Sequence, residues 1–396
     1  MLRFWADRKG SMIVQFAVAL IPVLGVMGAA IDYSRANLAR TKMQVALDVT
    51  GLLLSKLPAN TTQEELIAKA QQYFFANYAS PEVTGIVLTA APGEVPGKLD
   101  LTAKGTYIPE LVNVLGIGNF EVGTKTQVKW GIGKVEVALA LDNTGSMSGN
   151  KIAQLKIAAH DLLNVLQNAA QNPGDAKVSI VPFGKQIKLS TTFREEFWLK
   201  WGSQSEKNNW TGCVEDRNKD NDVADTVPIS TDSTTKFPGE PSSGCGSLAT
   251  IMPLSYDWTA LNAKIDTMIA TGSTNIPIGL AWAWHTLSPT LPFTEGAAYG
   301  TENLTKFVIL LTDGDNTDNR WDDSTWTINQ RTTMACNAIK AAGIKVYTIR
   351  VINGNASLLQ SCASSPSMYY DVDDAAQLSS VFNAIGSQIA NLHLSQ

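Results

Sequence analysis

The sequence predicts an α/β protein in which a mostly parallel sheet flanked by helices follows a small α+β unit and an N-terminal transmembrane helix. Three observations carry this. From Gly133 onward, short apolar runs at 135–141, 178–183, 307–311 and 346–351 alternate with helical stretches. Uninterrupted apolar strands separated by helices belong to a parallel sheet covered on both faces. Residues 83–130 change character, with β-branched runs at 83–90, 98–106 and 120–130 set between Gly and Pro punctuation. Residues 10–31 carry no charge.

The charge-free segment comes first along the chain. Its 22 residues lie between Arg8-Lys9 and Asp32. At about 1.5 Å rise per residue they reach roughly 33 Å, enough to cross a bilayer core. A cleaved secretory signal has an apolar core of only about 7–15 residues, and Ala29-Ala30 is a weak cleavage site. The segment therefore reads as a retained anchor. Basic residues do not orient it, since Arg3, Arg8 and Lys9 on one side face Arg35, Arg40 and Lys42 on the other.

The helical pattern continues from Tyr33 to about Leu57 and breaks at Pro58. It resumes at Thr62, where Thr62 and Glu65 have capping-box spacing, and runs to about Tyr78. The three β-branched runs follow, with a short apolar helix expected near 109–115. The chain thus divides into residues 1–57 (a cytoplasmic tip, the transmembrane helix and its extension), 58–130 (a small α+β unit) and 131–396 (the larger α/β domain).

Within 131–396, Ile152, Leu155, Ala159, Leu162 and Leu166 recur at about 3.6-residue spacing and give the first helix one face to lay on the sheet. Residues from about 190 to 250 break the alternation. Rich in Ser, Thr, Asn, Asp and Gly with scattered Trp, they read as an elaborated surface insert. The four cysteines, Cys213, Cys245, Cys336 and Cys362, include no CxxC pair. An even set behind an export-type N-terminus favours two disulfides in an oxidising compartment, with Cys213–Cys245 and Cys336–Cys362 the expected pairs.

The first strand ends in Asp142-Asn-Thr144-Gly-Ser146-Met-Ser148-Gly. Alternate residues of an extended loop point the same way, so a carboxylate and two hydroxyls converge. The third strand ends in Leu-Leu-Thr-Asp313-Gly-Asp315 and brings a second carboxylate to its C-terminal end. That edge is where open α/β sheets bind ligands. Oxygen-only donors suit a hard divalent cation, Mg²⁺ first, with Ca²⁺ or Mn²⁺ also compatible.

These residues resemble the metal-ion-dependent adhesion site of the von Willebrand factor A (vWA) family, a Rossmann-like fold whose first motif is Asp-x-Ser-x-Ser. Thr274, in Gly-Ser-Thr-Asn-Ile-Pro-Ile-Gly-Leu, is similar to the family's distant threonine, and Asp313 in Leu-Thr-Asp-Gly to its last aspartate. Thr144 stands where the family has serine and keeps the hydroxyl. The resemblance covers about residues 134–390. It implies that Thr144 and Ser146 hold the metal directly, Asp142 and Asp313 act largely through water, and Thr274 joins or leaves with loop position. A carboxylate from a partner protein then completes the coordination.

The segment RKGSMIVQFAVALIPVLGVMGAAIDYSRANLARTKMQVALD resembles the opening of TadE/TadG-like Flp pilus-assembly proteins, and residues 83–130 leading into a vWA domain resemble the TadG arrangement. Gln15 departs from the Glu typical of pilin-like segments processed after Gly. The resemblance implies a non-enzymatic, metal-dependent, adhesion-type component of Tad/Flp pilus assembly. It would be anchored through residues 11–31 in the bacterial inner membrane, with its C-terminal domain in the periplasm or at the cell surface. Its partners would be a carboxylate-bearing protein and other pilus components.

Other classes are weaker. With 31 Lys and Arg against 36 Asp and Glu, a formal charge of −5 and no basic run, nucleic acid is not an expected partner. Gly145-Ser-Met-Ser148-Gly149 also fits a serine-hydrolase nucleophile elbow, with Asp371 or Asp373 and then His393 in chain order. However, no histidine precedes His160 and His393 falls in an expected C-terminal tail. The run from Asp313 through Asp315, Asp318, Asp322 and Asp323 starts like a Ca²⁺ loop but lacks Glu at the twelfth position, and a solvated acidic loop is the better reading. A cytosolic vWA partner of an AAA+ chelatase conflicts with the anchor and the cysteines, whereas an envelope vWA protein unrelated to pili does not.

Overall fold

The computed structural model describes residues 11–394 apart from 56, 58–60, 93–97, 112, 114, 115, 117, 130–132, 171 and 242. The tip residues, Gly10, Pro58, and Val112, Val114 and Leu115 of the short helix expected near 109–115 thus lie outside the described residues. The chain divides into two compact units, one ending at residue 132 and the other beginning at Gly133.

The first unit is built on α1 (Ser11–Leu54), a single helix of 44 residues. Phe16, Ile21, Leu24, Val26 and Met27 in its first half are exposed. Among the described residues α1 alone is long and apolar enough to cross a membrane. Its second half is amphipathic: Ala36, Ala39, Met43, Ala46, Leu47, Thr50 and Leu54 are buried at spacings of three and four. They pack on α2 (Gln63–Asn77) and on the antiparallel sheet of β1 (Val83–Pro92), β2 (Lys98–Tyr107) and β3 (Phe120–Lys129). Thr62 caps α2 by accepting from Glu65 N at 3.3 Å. Gly51 lets α1 approach β3, because a Cβ there would lie 2.6 Å from Val128 Cγ1. Asp32, just beyond the apolar segment, accepts from Leu111 N at 2.9 Å.

The second unit runs β4 (Lys134–Asp142), α3 (Asn150–Ala169), β5 (Ala176–Phe183), β6 (Ile187–Lys188), β7 (Leu199–Lys200), α4 (Gln204–Asn209), β8 (Cys213–Val214), β9 (Phe237–Pro238), β10 (Met252–Ser255), α5 (Trp258–Asp266), α6 (Ile276–Leu287), β11 (Leu304–Thr312), α7 (Thr325–Ala341), β12 (Lys345–Val351), α8 (Ala356–Cys362), β13 (Tyr369–Val372) and α9 (Leu378–Leu394). Its sheet has the order β13-β12-β11-β4-β5-β6-β8, with β10 pairing antiparallel to β5. The five strands from β13 to β5 are parallel.

Alternation along the strands divides the core. Val137, Leu139 and Leu141 face α3, α5 and α9, where Leu155, Ala159, Leu162, Ile265, Phe382 and Ile385 cover them. Ala138 and Ala140 face α6, α7 and α8, and their small side chains admit the bulky Trp282 and Trp284 of α6. All twelve residues of α6 are buried, as its apolar sequence requires. Gly279 allows this depth, since a Cβ there would meet the Phe183 ring at 2.6 Å.

Two expectations need correction. The 190–250 segment is not only a surface elaboration. Its scattered aromatics Trp198, Trp210 and Phe237 are buried in the same core as α6, with Phe237 and Trp282 rings 4.7 Å apart. Polar composition masked this, because the few large side chains supply the burial while the rest cover them. His393 sits in the last turn of α9 rather than in a tail, because the apolar face of that helix continues through Ile385 and Ile389. The disulfides are Cys213–Cys245 and Cys336–Cys362, with Cα separations of 5.6 and 5.2 Å.

Candidate functional site

The C-terminal edge of the parallel sheet brings three loops together. Parallel register sets Leu141 beside Leu311, which places Asp142 and Thr312 side by side as the two central strands end. Asp142 is fully buried; its Oδ1 accepts from Thr144 N at 2.8 Å and its Oδ2 from Thr312 Oγ1 at 2.6 Å. The first contact turns the chain sharply after β4. A short 3₁₀ turn at Gly145–Met147 follows, pinned by buried Met147 and by Gly145 N donating to Gly272 O at 2.9 Å.

The turn aims two hydroxyls at the second carboxylate. Thr144 Oγ1 and Ser146 Oγ lie 3.0 Å apart, and Ser146 Oγ donates to Asp313 Oδ1 at 2.6 Å. Thr274 arrives on the loop before α6. Its N donates to Thr317 Oγ1 at 2.8 Å and its carbonyl accepts from Thr317 N at 2.9 Å. A Cβ built on Gly314 would lie 3.6 Å from Ser146 Oγ and 3.8 Å from Thr274 Oγ1, so both hydroxyls border the space over that glycine. Among the described residues the Thr274 hydroxyl has no hydrogen-bond partner, in contrast to the other four candidate ligands. The structure therefore gathers Asp142, Thr144, Ser146, Thr274 and Asp313 at one edge.

Chemically, the edge offers two carboxylates and three hydroxyls. Among the described residues no three His, Cys, Asp or Glu side chains form a metal cage. The set is hydroxyl-rich and oxygen-only, which fits a hard cation that keeps part of its water and fits poorly with soft-ligand metals. Two features of the fold agree with such an occupant: the unpartnered Thr274 hydroxyl and the space that a Gly314 Cβ would fill. Burial pushes the Asp142 carboxyl up to about 6, with the nearby Asp313 charge adding to the shift and hydrogen bonds from Thr144 and Thr312 opposing it.

Several residues at this edge escaped the sequence reading. Lys151 Nζ lies 2.5 Å from Asp313 Oδ2. Asn316 is fully buried: its Oδ1 accepts from Ile276 N at 2.8 Å, and its Nδ2 reaches Asn329 and Thr332 at 2.8 and 2.9 Å. Asn275 Nδ2 donates to the buried Asp216 carboxylate at 2.9 and 3.1 Å and to Lys185 O at 3.1 Å. Burial raises the Asp216 carboxyl to about 7. A lone polar residue in a loop carries no periodic signal, and the partners of Asn275 and Asn316 lie 13 to 90 residues away.

The rival readings fare differently. His160 pairs with Asn262 and Asp266 and His285 with Asp225, so neither of these two histidines is placed as a base for Ser148. Among the described residues the carboxylates of the acidic loop do not gather into a cage. Asp315 is exposed, Asp318 pairs with Lys185 at 2.7 Å and Asp322 accepts from Ser324 N at 2.7 Å.

A mostly parallel sheet with helices on both faces is the architecture of a vWA-type domain. Residues 255–384 match the von Willebrand factor type A domain family, and residues 10–52 match the Tad family of Flp pilus-assembly TadE/G-like proteins. The chain thus joins a TadE/G-like N-terminal segment to a vWA domain. Thr274 and Asp313 fall inside the vWA match and Asp142 before it.

Among solved structures, the pilus adhesin SpaC from Lactobacillus rhamnosus GG matches at 16% identity, covering 80% of this chain and 36% of SpaC, with a TM-score of 0.43. The chain thus spans about a third of that protein's length. The vWF domain of the type V pili tip protein Mfa5 from Porphyromonas gingivalis matches at 10% identity over 67% of this chain and 97% of that one, TM-score 0.43. Proximal thread matrix protein 1 from the mussel byssus, solved with a zinc-occupied MIDAS motif, matches at 17% identity over 65% and 46%, TM-score 0.39. No curated protein matches the chain.

Proposed function

We propose that this protein is a membrane-anchored, non-enzymatic component of Tad/Flp pilus assembly that binds a partner protein through a divalent cation at its vWA domain. The observation that carries the reading is the convergence of Asp142, Thr144, Ser146, Thr274 and Asp313 at the end of the central strands. Thr144 and Ser146 would hold the cation directly, Asp142 and Asp313 largely through water, and Thr274 would complete the set. Mg²⁺ suits these donors first, and Ca²⁺ or Mn²⁺ also suit them. A bound cation would supply Lewis acidity toward a carboxylate of the partner. With hydroxyls as its direct ligands, the site neutralises the cation little and leaves it attractive to that carboxylate.

The match of residues 10–52 supports the pilus assignment, and the apolar half of α1 supports an anchor through residues 11–31 in the bacterial inner membrane. The two disulfides favour the periplasm or the cell surface for the vWA domain. Residues 1–57, 58–130 and 131–396 would then act as anchor, spacer and binding domain. The test is copurification of the tagged chain with pilus-assembly proteins from detergent-solubilised membranes, with Mg²⁺ or EDTA and with Ser146→Ala. Partners retained in Mg²⁺ and lost with EDTA and in the variant support the reading. Retention that ignores both contradicts it.

A further inference from the structure

Lys151 stands where its own helix disfavours a cation. It is the second residue of α3, whose first turn contains no acidic side chain and whose Gly149 N-cap makes no side-chain cap bond. The positive end of a helix dipole repels an ammonium there. The compensation is Asp313, whose carboxylate is fully buried while Lys151 is 20% exposed at the side chain, the two meeting at 2.5 Å. Asp313 Oδ1 is taken by Ser146 and Oδ2 by Lys151, so the ammonium occupies one of the two oxygens this carboxylate has to offer. The nearby charges Lys185 and Asp318 pair with each other at 2.7 Å and leave that balance unchanged.

We propose that Lys151 is a built-in competitor that sets the cation affinity of this site: its ammonium shares Asp313 with the incoming divalent ion and weakens its binding. The inference rests on the metal-binding reading above. With Asp142 and Asp313 ionised, the site without a divalent ion carries a formal charge of about −1 because Lys151 offsets one carboxylate, and a divalent ion brings it to about +1. Removing the ammonium makes the site more anionic before binding and neutral after it. Lys151 therefore keeps the cation exchangeable and the occupied edge positive, which suits capture of an acidic partner.

The test is calorimetric titration of the full chain in detergent with Mg²⁺, comparing wild type with Lys151→Met, Lys151→Gln and Lys151→Arg. Both neutral variants are expected to tighten Mg²⁺ binding about tenfold or more, and the arginine variant, which keeps the charge, to stay within about threefold of wild type. Circular dichroism checks that each variant is folded, and having two neutral variants guards against one misfolding. Mg²⁺ binding by wild type with equal or weaker binding by both neutral variants overturns the role of Lys151 alone. No Mg²⁺ binding by any form overturns this role and the metal reading together.

Discussion

Substituting Gly314 with Ala separates folding from ligand binding at the proposed site. The added Cβ lies 3.6 Å from Ser146 Oγ and 3.8 Å from Thr274 Oγ1, ordinary contact distances that demand no shift of either hydroxyl. Gly314 has no positive φ, so alanine adopts the same backbone, and loss of unfolded-state freedom stabilises the fold by about 0.4–1 kcal/mol. The same methyl group fills the space between the two hydroxyls, where a hydrated cation needs room. A loss of tenfold in affinity, about 1.4 kcal/mol, is the smallest effect expected of it. At a Mg²⁺ concentration 100-fold above the wild-type Kd, binding stabilises the wild type by about 2.7 kcal/mol and the variant by about 1.4. For a domain of this size the difference appears as a Mg²⁺-induced rise in Tm that is roughly 3–5 °C smaller. Scanning calorimetry with and without Mg²⁺ reads both quantities. A variant that keeps the full Mg²⁺-induced rise would show that the space over Gly314 is not part of the site. A fall in metal-free Tm of more than a few degrees would show that a methyl group does not fit over Gly314.

Three further outcomes follow from buried groups. Asn316→Ala strands the backbone N–H of Ile276 and removes the ties to Asn329 and Thr332; a loss of about 1–3 kcal/mol by urea titration is expected, together with weaker Mg²⁺ binding. Asp216, raised from 3.8 to about 7 in the fold, contributes stability that is complete below its unfolded pKa and lost as pH climbs through the folded value. The stability difference between wild type and Asp216→Asn should therefore fall with a slope of about 1.4 kcal/mol per pH unit between roughly pH 4.5 and 6.5, and equilibrium unfolding along that series checks it. The disulfides close loops with sequence separations of 32 and 26 residues, and chain entropy assigns each about 3.5 kcal/mol. Reduction of both should lower the urea midpoint of the vWA domain steeply, and an unchanged midpoint would show that packing around α7 and α8 suffices without them.

Much of the fold was legible because it rests on periodic burial. The runs at 135–141 and 307–311 read as strands because both sheet faces are covered, which keeps them apolar apart from Glu136, buried and paired with Lys306. Thr62 announced a helix start because capping is local and its partner, Glu65, is three residues away. The site was legible where oxygen ligands follow strands directly, as at Asp142 and Asp313. What stayed hidden depends on distant partners. Lys151 carries no signal of its own in the sequence, and only the placement of Asp313, 162 residues later, gives it meaning. Asn316 and Asp216 stand in irregular loops with no pattern around them, although they hold the loops of the edge together. Trp198 and Phe237 were lost in a polar stretch because two-residue strands show no alternation to count.

The central claim is that five oxygens at the sheet edge hold one divalent cation. The most direct measurement is anomalous diffraction from crystals of the protein soaked in Mn²⁺. A single strong peak is expected within bonding distance of Thr144 and Ser146, close to Asp142, Thr274 and Asp313, and absent in Asp142→Ala with Asp313→Ala. No peak at that edge, or a peak unchanged in the double variant, would contradict the account.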